Sequence, residues 1–180
     1  LCARLDGHPD VAGVGLARTD DGYVLRVNLR KAVRSVPANV DGVEVTTASG
    51  GIRARDLSLA NFSATSASGN IRLEGVRAGQ AHASSVSGTV ALTAVEADSV
   101  RAKSVSGDIS LDAVAPGSAL EAGSTSGSIR GSVAAREADA AISASSVSGN
   151  VRVPRGADGG KVTLKFKTVS GNIDVSLLEP

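Results

Sequence analysis

A Ser-Gly pair returns seven times along this sequence, at Ser49-Gly50, Ser68-Gly69, Ser87-Gly88, Ser106-Gly107, Ser126-Gly127, Ser148-Gly149 and Ser170-Gly171. The steps between the glycines are 19, 19, 19, 20, 22 and 22 residues. Self-similarity at such a period marks an architecture of stacked units, each burying its apolar face only against its neighbours. Two residues after every glycine stands a β-branched aliphatic, namely Ile52, Ile71, Val90, Ile109, Ile129, Val151 and Ile173. Four after come Ala54, Leu73, Leu92, Leu111, Gly131, Val153 and Val175. Apolar, variable, apolar is the period of a strand buried on one face.

A second inward strand lies upstream. Seven before each glycine are Val43, Phe62, Ala81, Val100, Leu120, Ile142 and Leu164, and five before are Val45, Ala64, Ala83, Ala102, Ala122, Ala144 and Phe166. Leu57, Val76, Val95 and Val114, each seven after its glycine, suggest a shorter third wall that Ala134 and Gly156 weaken in later copies. Gly51, Asn70, Thr89, Asp108, Ser128, Asn150 and Asn172 follow the glycines directly and read as corner residues. No copy has the leucine-rich consensus, the Trp-Asp propeller signature or the Asp-bearing nonapeptide of calcium-binding β-rolls. The fold expected is therefore mainly β: a single-chain β-solenoid, or β-helix, of about seven coils over residues 47–180. At ~4.8 Å per coil it is a rod about 30 Å long. With aromatics at 2% and 21 glycines, its core must be narrow and built from small side chains.

Two placements follow less directly from the pattern. Ala48, Ala67, Val86, Val105, Thr125, Val147 and Val169 stand two before each glycine, between hydroxyl residues. If they point inward the serines face water, and if a bulge reverses the phase the hydroxyls form an internal ladder; the inward placement is the one expected. The strand Lys161–Lys167, alternating lysine and threonine with apolar residues, reads as the terminal edge, where lysines discourage stacking against another chain.

Residues 1–46 lack the repeat and read as a small α+β cap. Val11–Ala17 and Tyr23–Arg30 suggest a β-hairpin turned at Thr19-Asp20-Asp21-Gly22, with the end of a short helix at Leu1–Leu5. Cys2 is the single cysteine, so an internal disulfide framework and a cysteine-based zinc site are excluded. Nineteen basic against eighteen acidic residues give no global field to steer nucleic acid. No run approaches the roughly 18 apolar residues of a membrane span. No basic-then-apolar leader precedes the repeats, and the sequence opens on Leu1 rather than Met, as in a chain trimmed of a targeting segment.

The strings Val105-Ser106-Gly107-Asp108-Ile109-Ser110-Leu111 and Val169-Ser170-Gly171-Asn172-Ile173-Asp174-Val175 resemble the bacterial adhesin-labelled family of uncharacterised Ser-Gly-Asp/Asn-Ile repeat domains. The resemblance covers about residues 47–180. It implies a β-solenoid carried on membrane-anchored or exported proteins of the cell envelope, and it assigns no catalytic residue.

Chemistry is sparse. A serine nucleophile needs a base in reach and an oxyanion hole. Only His8 and His82 are present, and both read as solvated surface residues. The acid pairs Glu96 with Asp98 and Asp108 with Asp112 lack matching acids in neighbouring coils to build a glycosidase cleft. The column of Asn70, Asp108, Asn150 and Asn172 is explained by turn geometry rather than metal binding. No catalytic residue, cofactor or metal ligand is thus expected. Arg53, Arg72, Arg130 and Arg152 all fall three after the glycine, an outward stripe suited to an anionic partner, interrupted by Ala91 and Ser110 and ended by Asp174. The leading expectation is a non-catalytic scaffold that binds a cell-surface glycan or protein. A self-assembling structural solenoid is second, and a polysaccharide-active enzyme third.

Overall fold

The computed structural model describes residues 11–19, 22–29 and 43–179. Strands β1 (Val11–Thr19) and β2 (Gly22–Leu29) pair antiparallel with Thr19 opposite Gly22, which is the hairpin expected there. The expected helix at Leu1–Leu5, His8 and Cys2 lie outside the described residues.

From Val43 onward the chain is a parallel β-solenoid of seven coils. Each coil carries one strand on a long wall and one on a short wall, separated by the Ser-Gly corner. They are, in sequence, β3 (Val43–Thr47) with β4 (Ile52–Arg55), β5 (Ser58–Ser66) with β6 (Ile71–Glu74), and β7 (Arg77–Ser85) with β8 (Val90–Thr93). Next come β9 (Glu96–Ser104) with the first half of β10 (Ile109–Ser124), and the second half of β10 with β11 (Ile129–Ala134). The last two are β12 (Ala140–Ser148) with β13 (Val151–Arg152), and β14 (Val162–Ser170) with β15 (Ile173–Leu178). Register is in phase with the repeat: Ile52, Ile71, Val90, Ile109 and Ile129 are successive partners, and so are Val43, Phe62, Ala81, Val100 and Leu120. Each of these side chains is at most 5% exposed, so the aliphatic columns are the core.

The coils do not all stack in sequence order. β14 lies between β10 and β12, and β15 lies between β11 and β13. The chain leaves the fifth coil, skips a level to build the end coil from β12 and β13, and returns to insert β14 and β15 into the gap. The two 22-residue steps supply the longer connections this requires. Where these connections meet, Gly156 and Gly160 lie so close to Ala140 and Ala141 that an added Cβ would fall 2.3 and 2.6 Å from their backbone atoms. Burial gives the reason for the insertion. Leu164, Phe166, Ile173 and Val175 are larger than Ile142, Ala144, Val151 and Val153 taken together, and sandwiching them leaves the first four at most 4% exposed. Burying a side chain such as Phe166 contributes about 1.5–3 kcal/mol, which an end position would partly forfeit.

The insertion corrects the expected terminal edge. The lysine-bearing strand is interior, and among the described residues the strand at that end of the long wall is β12.

The inward-valine placement is also corrected. Val86, Val105 and Val169 are 45–50% exposed and Val147 is 81% exposed, while Ser66, Ser85, Ser104, Ser124 and Thr168 are buried. No bulge is involved: the hydroxyls continue the i, i+2 phase set by residues such as Phe62 and Ala64. Burial is compensated by an internal ladder. Ser66 donates to the Gly50 carbonyl, Ser85 to Gly69, Ser104 to Gly88, Ser124 to Gly107, Thr168 to Gly127 and Ser146 to Gly171, at 2.9–3.1 Å. The glycines stay glycines for a steric reason. A Cβ on Gly69, Gly88, Gly107, Gly127, Gly149 or Gly171 would lie 2.0–2.3 Å from the glycine carbonyl oxygen of the adjacent coil.

The third wall continues further than expected. Val114 pairs with Val133, not Ala134, because β11 is one residue shorter across that corner. Val76, Val95, Val114 and Val133 are all fully buried.

Candidate functional site

The four arginines of the expected stripe do not form one surface. Arg53 and Arg72 are register partners at one end of the short wall, followed by Ala91 and Ser110. Arg130 comes next, but its other neighbour is Asp174, which in turn pairs with Arg152. Asp174 therefore does not end the stripe; the insertion drives it between Arg130 and Arg152, where its charge opposes both. All three are exposed.

The insertion builds a different basic surface on the long wall. Outward positions along β9, β10 and β14 are Arg101, Glu121 and Lys165 in one row and Lys103, Gly123 and Lys167 in the next. Strand alternation puts these side chains on the face opposite the core, and the four cations and Gly123 are partly or fully exposed. Four basic side chains thus surround one acid. Glu121 accepts from Arg101 Nε at 2.8 Å and lies 3.4 Å from Lys103 Nζ. Burial pushes the Glu121 carboxyl up, yet the charges and hydrogen bonds of Lys103 and Arg101 outweigh it and hold the group below its ordinary range. Glu121 is therefore a carboxylate that fixes two cationic heads. Gly123 leaves an open notch between the Lys103 and Lys167 strands: a Cβ there meets only the Lys167 carbonyl, at 3.8 Å.

His82 sits at the margin of this surface, in register with Arg101. It is half-buried rather than fully solvated, because the neighbouring strands flank it on both sides. Burial, followed by the charges of Arg101 and Lys103, lowers its pKa.

One acid of each pair, Glu96 and Asp108, is engaged in structure. Arg77 donates to Glu96 from Nε at 2.9 Å and Nη2 at 3.3 Å, and that hydrogen bond lowers the Glu96 pKa. A general acid needs a shift in the other direction. Asp108 accepts from the Ser128 backbone N–H at 2.7 Å, one rung of an inter-coil ladder. Asn70 accepts likewise from Thr89, and Asn172 from Asn150, each at 2.9 Å. A shallow groove on the third wall is lined by Leu59, Arg77, Ala78, Glu96, Asp98 and Pro116. Among the described residues no group of three or more His, Cys, Asp or Glu side chains converges on a point. No helix among them is long and apolar enough to cross a membrane.

A solenoid with coils of this period, over most of the sequence, fits one family in particular: the model described as Toastrack DUF4097 matches residues 20–176. The chain belongs to that family. The Toastrack match begins within the hairpin segment, so it takes in part of the sequence ahead of the repeats as well as the coils themselves. No curated protein and no solved structure gives a match.

The basic surface could not be found by reading copies in order. Its columns, six and four before the glycine, carry Arg101, Glu121, Lys165 and Lys103, Gly123, Lys167, but the sixth copy in sequence puts Ser143 and Ser145 between them. Only the displacement of β12 to the end brings Lys165 and Lys167 within one strand of Arg101 and Lys103.

Proposed function

We propose that this Toastrack domain is a non-catalytic scaffold that holds an acidic glycan against its long wall, as an adhesin-like module at a bacterial cell surface. The observation that carries this reading is the cluster of Arg101 and Lys103 on β9 with Lys165 and Lys167 on β14, either side of β10, with Glu121 orienting two of the four. A flat sheet with pairs of cations two strands apart, about 10 Å, matches an extended polyanion, whose charges also repeat along a line. Such attraction is long-ranged and salt-sensitive, with a screening length of about 8 Å at physiological ionic strength. The envelope setting follows the family resemblance of the repeat strings. Side chains on this wall point away from the core, so charge can be changed there without disturbing the coil.

The test is retention on an immobilised sulfated or uronate polysaccharide across a salt gradient. Lys165→Ala with Lys167→Ala should elute at clearly lower salt than the parent, whereas Arg130→Ala with Arg152→Ala should shift elution little. Equal shifts for the two pairs would refute the assignment of the long wall.

A further inference from the structure

The two ends of the solenoid differ. At the first coil, Val43, Val45, Ile52 and Ala54 are 2–5% exposed, and β2 of the hairpin runs beside β4. At the other end the equivalent columns are open: Val151 is 40% exposed, and Ile142, Ala144 and Val153 are only half-buried. Among the described residues β12 pairs with β14 alone, so one side of its backbone lacks a strand partner. The loop through Gly156 and Gly160 packs on Ala140–Ile142, and Ala157 N–H donates to the Ala140 carbonyl at 2.8 Å. That leaves Ser143–Ser148 as the open stretch.

Edge strands are ordinarily blunted by charge, proline or a bulge. This one has none: residues 140–151 contain no charged residue and no proline, although the interior neighbour carries Lys165 and Lys167 at the positions paired with Ser143 and Ser145. The charges that would block strand pairing are one level too deep to do so.

We infer that β12 is the interface for a second copy of this chain, joined end to end about a two-fold axis. Polarity and parity select this arrangement. Among the described residues β3 also pairs on one side only, but its inward Val43 and Val45 are buried and it carries the exposed Glu44 on its outer face. A head-to-tail stack would bring β12 against that charged edge, whereas the uncharged end meets its own equivalent without one. Two identical edges related by a two-fold axis pair antiparallel. A register that sets Ala144 against Ser146 of the second copy keeps inward columns facing inward on both sides, and it places Ser145 opposite its own equivalent on the outer face. The half-buried Ala144 is then covered. Because the axis stands perpendicular to the long wall, the basic surfaces of both copies face the same side. This assembly does not depend on the glycan reading and stands or falls separately from it.

Sedimentation velocity on residues 1–180 over a range of concentrations tests it. The parent should sediment as a dimer. Ser145→Lys and Ser145→Glu, exposed changes on the outer face, should each give monomers with an unchanged melting temperature, because like charges then meet directly across the pair. Mixing the two variants should restore dimers. A parent that stays monomeric at high concentration, polymers that lengthen with concentration, or dimers indifferent to both substitutions would each overturn the inference.

Discussion

The Thr168 hydroxyl donates to the Gly127 carbonyl oxygen at 3.0 Å, across 41 positions of sequence. In the four earlier rungs of the same ladder the partners are 16 or 17 positions apart. The bond is chemically identical, and the difference in separation records the strand pair that the chain slips between its fifth coil and its end.

The ladder should be measurable at Ser104, which is buried and bonded to Gly88 at 3.1 Å. Ser104→Ala leaves that carbonyl without its hydroxyl donor and should cost about 1 kcal/mol. Ser106→Ala, on the exposed side of the same corner, should stay within about 0.5 kcal/mol. Urea unfolding of both variants checks the facing directly, and a reversed order would contradict it.

Gly107→Ala is expected to be far more damaging. Its Cβ would lie 2.2 Å from the Gly88 oxygen and 2.6 Å from the carbonyl carbon, and backbone cannot move aside as a flexible side chain can. A loss of about 3 kcal/mol or more is expected in the same unfolding assay.

Ala94 offers the opposite sign. It sits at φ 49°, in the left-handed region, at a corner where the equivalent residue of the preceding coil is Gly75 with φ 62°. A side chain costs about 1–2 kcal/mol in that conformation. After allowing for the greater entropy of glycine in the unfolded chain, Ala94→Gly should stabilise by about 0.5–1 kcal/mol, seen as a higher melting temperature.

His82 predicts a pH dependence. Its pKa is lowered in the folded chain by burial and then by Arg101 and Lys103, so the unfolded chain binds the proton more tightly. Stability should therefore fall as pH drops through the ordinary histidine value near about 6.5, and level off below the folded pKa. His82→Gln should flatten that part of the curve in thermal melts between about pH 7.5 and 5, leaving the carboxylate-driven loss at lower pH.

The columns through Ile71, Val90 and Ile109 could be read from residues alone because a coil repeats its inward positions at a fixed distance from a glycine. Hydrophobicity alone would place Val105 inside, but strand phase turns it to water and Ser104 inward. Ser104 continues the alternation of Val100 and Ala102, and a buried hydroxyl is tolerated when a carbonyl lies within reach. Arg130 and Arg152 share a column with Arg53 and Arg72, yet a column says nothing about who stands next to whom.

What the sequence alone determines is therefore the cross-section of the rod: which residues line its walls, where glycine must sit, and how many coils there are. Those properties are local, set by alternation and steric fit within one repeat. The order of the coils was decided only in three dimensions, because similar repeats compete for the same levels and the outcome depends on which side chains gain most from being covered on both sides. That choice buries Phe166, separates Arg130 from Arg152 by Asp174, gathers Lys165 and Lys167 beside Glu121, and leaves β12 at the open end.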